Sequence, residues 1–145
     1  MYKRILITTD GSELAAKGII HALQLAKAVG AEIVAVMVTS TDPGNVVAGP
    51  LVIVAPPEVV KEANDYAERC LRTVADAAAK MGLTCQSEHV ISDLTHQAII
   101  ETADRKGCDL IVMSSHGHGG FKSILLGSVV LKVLAHSQMP VLVCR

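Results

Sequence analysis

Tryptophan is absent from the chain, phenylalanine occurs once and tyrosine twice. So sparse an aromatic supply leaves little on which bases could stack. An excess of one charge is also lacking. Thirteen Lys and Arg residues face fourteen Asp and Glu residues, so there is no basic field for a nucleic-acid backbone. Both absences speak against a nucleic-acid binder. No apolar run reaches the roughly 18 residues that a membrane span requires. C-x-x-C pairs are missing, and Cys70, Cys85, Cys108 and Cys144 follow no zinc-ligand spacing. They read as buried free thiols in a reducing compartment. Met1-Tyr2-Lys3-Arg4 leads directly into a strand, without the apolar stretch of a signal peptide. The expectation is a soluble, cytoplasmic protein.

What is present is an apolar half made mostly of Ala, Val, Leu and Ile, with only 19% charged residues. That composition excludes disorder and suits strands buried on both faces of a parallel sheet. The length of 145 residues suits one domain, residues 1–145, and no internal repeat or low-complexity segment divides it.

The chain alternates strand and helix patterns. Residues 3–9 carry the apolar run Ile5-Leu6-Ile7 and read as a central first strand, broken by Asp10-Gly11-Ser12. Ala15, Ile19, Ala22, Leu23 and Ala26 follow at helical spacing, with Gly30 as a stop. Residues 32–38 form the second strand. The connection over 39–57 holds Pro43-Gly44, Gly49-Pro50 and Pro56-Pro57, so no single regular element fits. Its apolar Leu51-Val52-Ile53-Val54 predicts a lid or partner-facing flap, or else a short extra strand. A long helix over 58–81, a more polar edge strand over 84–91, and a helix over 95–106 come next. A strand over 109–113, a helix over 127–137 and a strand over 140–144 complete the order.

The expectation is an α/β fold: one doubly wound, five-stranded parallel sheet of Rossmann-like type. Its order is 3-2-1-4-5, with helices on both faces and right-handed crossovers. Ligands of such sheets bind beyond the carboxyl ends of the strands. The candidates there are Thr8, Thr9 and Asp10 after the first strand, Val38 after the second, and Met113 and Ser114 after the fourth.

The stretch 111–129 carries the chemistry. A buried strand opens into a loop with Gly117, His118, Gly119 and Gly120, and a helix begins near Gly127-Ser128. Glycines can take φ > 0 and leave N–H groups uncovered. Ser128 suits an N-cap, and a helix start has unpaired N–H groups and partial positive charge. Together these features favour a bound anion, here the phosphates of a nucleotide.

Other chemistries fit less well. Lys122-Ser123 lacks the glycine before the lysine that a P-loop requires. Residues 9–13 lack the G-x-G-x-x-G of a dinucleotide fold. A phospho-receiver needs clustered acids beside the first strand, and Asp10 has only Glu13 near it in sequence. His116 and His118 are a possible metal pair with no third ligand. His21, His89, His96 and His136 share no spacing.

Taken together, these residues resemble the universal stress protein family along essentially the whole chain. The family pattern is glycine, two residues, glycine, nine residues, then Gly-Ser or Gly-Thr. Gly117, the nine residues 118–126, and Gly127-Ser128 match its later part, while Ser114 replaces its first glycine. The opening Ile5-Leu6-Ile7-Thr8-Thr9-Asp10-Gly11-Ser12 and the closing Pro140-Val141-Leu142-Val143 are also similar. The resemblance implies an ATP-binding stress-response protein. For a hydrolase, no general base is fixed against an attacking water, with Asp10 one candidate, so no enzyme is expected. The resemblance implies that Asp10 contacts the adenosine and that the Val38 backbone meets the adenine edge. Gly117, Gly127 and Ser128 take phosphate-loop positions, with Val129 and Val130 donating N–H groups nearby. Ser114 adds a Cβ and a hydroxyl where the backbone would pass the ribose and phosphates. Val130 lacks the hydroxyl of some ATP binders. Any Mg²⁺ would be held mainly by phosphate oxygens and water, since no second acid is placed for it. The resemblance also implies a homodimer paired through residues 141–145. A ligand-free dimeric module of the same fold is the alternative.

Overall fold

Among the described residues, five parallel strands alternate with four helices. The computed structural model describes residues 1–48, 50–117 and 126–145. In chain order the elements are β1 (Arg4–Thr8), α1 (Glu13–Val29), β2 (Glu32–Thr39), β3 (Val46–Ala48), β4 (Leu51–Ile53) and α2 (Pro57–Lys80). They continue with β5 (Cys85–Ile91), α3 (Thr95–Arg105), β6 (Leu110–Ser114), α4 (Ser128–His136) and β7 (Val141–Cys144). The main sheet has the order β5-β2-β1-β6-β7, and every pairing in it is parallel. Counted among its own strands, this is the 3-2-1-4-5 order expected from the sequence.

Strand alternation sorts the core. Ile5 and Ile7 of β1 join Leu110 and Val112 of β6 under Ala22, Leu23 and Ala26 of α1. Leu6 and Ile111 point the other way, onto Ile99 and Ala103 of α3 and Val130 and Val133 of α4. Ala35 and Met37 of β2 pack on Ala67, Leu71 and Val74 of α2. The small residues Ala15, Gly18, Ala22 and Ala26 line the buried face of α1, which lets that helix lie close to the sheet. Helix α1 is capped by the Ser12 hydroxyl and stopped by Gly30 at φ 72°.

The connection over 39–57 is neither a bare loop nor a single strand. β3 and β4 form a separate antiparallel hairpin. Leu51, Val52, Ile53 and Val54 are all largely exposed. Asp93 ties the root of this connection to the turn before α3, accepting bonds from Ser40 and Thr41. Cys108 and Cys144 are buried as expected, but Cys70 and Cys85 are only half-buried, and all four thiols are free. Burial pushes the Cys108 thiol up to about 11. Among the described residues, no helix is long and apolar enough to cross a membrane.

Candidate functional site

A cavity of about 420 Å³ opens at the carboxyl ends of β1, β2 and β6. Thr8, Thr9, Asp10, Val38, Met113, Ser114, Gly117, Gly127, Ser128, Val129 and Val130 all line it. These are all the sequence candidates that fall among the described residues. His118, Gly119 and Gly120 lie outside them, as does Lys122.

Each wall has a local cause. β1 ends where Thr9 donates its N–H to Val36 O at 3.0 Å. The chain then turns, and the Asp10 carboxylate accepts the Ser12 N–H at 2.9 Å. Asp10 therefore shapes the turn while Ser12 caps α1 through the Ala15 N–H at 3.1 Å. Gly11 takes φ +80°, in the left-handed region. The second wall is the loop after β6. Ser115 is buried and donates its N–H to Cys144 O at 2.7 Å. Its hydroxyl lies 3.1 Å from His116 Nδ1.

Several expectations change in detail. Positive φ among the described residues is confined to Gly11, Gly30, Gly44, Gly82 and Gly107, so Gly117 does not use it. Space is the reason for a glycine there. A Cβ on Gly117 would stand 2.5 Å from Asp10 Oδ2. Ser114 carries no left-handed strain either, and its hydroxyl donates to His116 O at 2.9 Å, closing the turn.

The cap of α4 is Gly127, with Ser128 as the first helical residue, and no side chain caps the helix. The reason is tertiary. Gly127 donates its N–H to Ser115 O at 2.8 Å, which clamps the two ends of the loop together. A Cβ on Gly127 would sit 3.2 Å from that same oxygen. Gly127 thus lines the cavity but has no amide to offer a ligand. Ser128, Val129 and Val130 supply the first-turn N–H groups that an α-helix leaves unpaired. With no acidic residue in that turn, the positive end of the helix stays uncompensated.

Sequence reasoning missed the α3 wall. Thr95 and Ile99 line the cavity together with Ala15, Val36, His116 and Leu126. Helix α3 also starts without a side-chain cap or an acid in its first turn. Applying the strand-end rule to β5 as well would have flagged Thr95. The scattered histidines are partly gathered: His89 Nε2 is 2.7 Å from Thr39 Oγ1, and the rings of His96 and His136 are 5.5 Å apart. No group of three metal-binding side chains forms among the described residues.

The model of the universal stress protein family matches residues 1–145. The chain belongs to that family. A curated family relative, universal stress protein MJ0531 of Methanocaldococcus jannaschii, is 34% identical over 147 residues, covering all of this chain and 83% of that protein. The solved structure of MJ0577 from the same organism superposes with a TM-score of 0.78 at 27% identity, covering 99% of this chain and 95% of that one. A universal stress protein crystallised with cAMP shares the fold, with a TM-score of 0.73 at 24% identity, covering 99% of this chain and 97% of that one. In this member, Ser114 stands where the loop pattern has its first glycine, and Thr95 belongs to the cavity wall.

Proposed function

We propose that this family member binds an adenine nucleotide, ATP in the first place, in the cavity at the carboxyl ends of β1, β2 and β6. One observation carries the reading. The strand ends, the Gly117 turn and the uncapped start of α4, all selected as phosphate and adenosine positions, line a single cavity. Its volume falls in the range of small-molecule sites, roughly 300–1,000 Å³. Polyphosphate would lie on the Gly117 turn and the amides of Ser128, Val129 and Val130. Asp10 and the Val38 backbone would meet the adenosine. The similar protein crystallised with cAMP is an adenine-nucleotide binder.

The role is binding rather than turnover. Asp10 is the described carboxylate in the cavity wall, and its Oδ1 is engaged by the Ser12 N–H, as suits a positioning group. Any Mg²⁺ would take its ligands from phosphate and water. A homodimer would pair through β7, which lies at the sheet edge with Leu142 40% exposed.

Nucleotide released from the purified protein by denaturation, together with calorimetric titration with ATP, tests the reading. Bound adenylate or saturable heat supports it. The exposed residues 51–54 favour the second reading, a ligand-free dimeric module. Neither nucleotide nor heat, from a protein that still dimerises, would establish that module instead.

A further inference from the structure

The two ends of the cavity differ in chemistry. Gly117 and the start of α4 form one end, where backbone amides gather. Elsewhere in the wall are Val36 and Val38 of β2 and Ile99 of α3, with Thr8 of β1 paired to Val36 and Thr95 at the start of α3. The register explains why it is there. Val38 pairs with Val90 of β5, and β5 ends at Ile91, shortly before α3 begins at Thr95. The first residue of α3 therefore joins the end of β2 in the cavity wall, while α4 contributes its first turn, Ser128 to Val130.

Thr95 is half-buried, and its hydroxyl bonds to none of the described residues. The hydroxyls of Thr39, Thr41 and Thr73, by contrast, each have a protein partner. The Thr95 N–H belongs to the first turn, where the helix supplies no acceptor. Thr95 thus places one oxygen able to accept and one N–H able to donate side by side, against an apolar wall. Adenine presents the complement along its pairing edge: an amino donor next to a ring-nitrogen acceptor. Guanine presents a carbonyl acceptor next to a ring N–H, the reverse order.

We propose that Thr95 selects the base, its hydroxyl accepting a hydrogen bond from the exocyclic amino group of adenine. This rests on the nucleotide reading of the cavity and deepens it. A phosphate chain held at the α4 end directs the base toward Thr95. A lost partner in an apolar surround is costly, which is how one hydroxyl can discriminate.

The test titrates the wild-type protein, Thr95→Val and Thr95→Ser with ATP, GTP and purine riboside triphosphate, which lacks the amino group. Wild type should prefer ATP to the other two. Thr95→Val should weaken ATP by roughly fivefold to tenfold and leave purine riboside triphosphate unchanged, while Thr95→Ser keeps the preference. Equal losses for ATP and the amino-less analogue in Thr95→Val, or no loss for either, would overturn the proposal while the cavity remained a nucleotide site. A wild-type protein that binds none of the three removes the nucleotide reading and this inference with it.

Discussion

The phenol oxygen of Tyr66 occupies the space in front of Gly11, 2.1 Å from where a Cβ on that glycine would begin. The same oxygen donates to Asp10 O at 3.2 Å. Helix α2 therefore buttresses the turn that carries Asp10. The neighbouring Cys70 thiol, through its hydrogen bond, and then burial raise the Tyr66 phenol above its ordinary range, so it stays a neutral donor at physiological pH. Gly11→Ala meets both this contact and the left-handed φ, and should cost about 1–3 kcal/mol in urea unfolding. Adding Tyr66→Ala should recover part of the loss, because it removes the clash but not the backbone strain. Purely additive losses would show that the contact is not the cause.

Gly117→Val places a side chain against Asp10 Oδ2, the end of a flexible side chain, and should leave the fold intact. Thermal unfolding should move by only a few degrees. ATP binding should disappear, because the branched side chain fills the space between the β1 turn and the loop. Unchanged ATP affinity in this variant would place the ligand elsewhere.

Asp93 makes the connection after β2 sensitive to acid. Hydrogen bonds from Thr41, first, and Ser40 hold its carboxyl below the ordinary carboxylate range. A lowered folded-state pKa contributes stability that is complete above the unfolded value, about 3.9. That stability is lost as pH falls through the folded value. The stability difference between wild type and Asp93→Asn should be constant from pH 7 to about 5, and shrink below about 4. A difference that does not vary down to pH 2.5 would show that the carboxylate charge is not what holds the turn.

β7 ends the sheet, and Leu142 is exposed on it. In the proposed dimer, Leu142→Asp would put two carboxylates near one another across the paired edges. Sedimentation should then report a monomer where wild type is a dimer. A dimer of undiminished stability would move the interface away from β7.

Much of this arrangement was legible because apolar period and glycine position report local structure directly. Ile5-Leu6-Ile7 marked β1, and the helical spacing from Ala15 to Ala26 with Gly30 as its stop marked α1. What escaped depends on contacts far apart in sequence. Ser128 has the chemistry of a cap, yet Gly127 takes that place because Ser115 O, across the loop, claims its amide. Gly117 looked like a conformational glycine, and it proved to be a spatial one, since its neighbour Asp10 arrives from the other end of the chain. Thr95 carried no motif, and only the pairing of β5 beside β2 brings it to the cavity. The pairing of Val46–Ala48 with Leu51–Ile53 was ambiguous because three-residue strands give too short an alternation to read.

The peptide amides of the Gly117 turn and the start of α4 can be watched directly. In a ¹⁵N-resolved titration with ATP, the largest shifts should fall on Gly117, Ser128, Val129 and Val130. Thr95 should move with adenine nucleotides but far less with inorganic tripolyphosphate. Shifts centred on residues 51–54, or no shifts at millimolar ATP, would contradict the account.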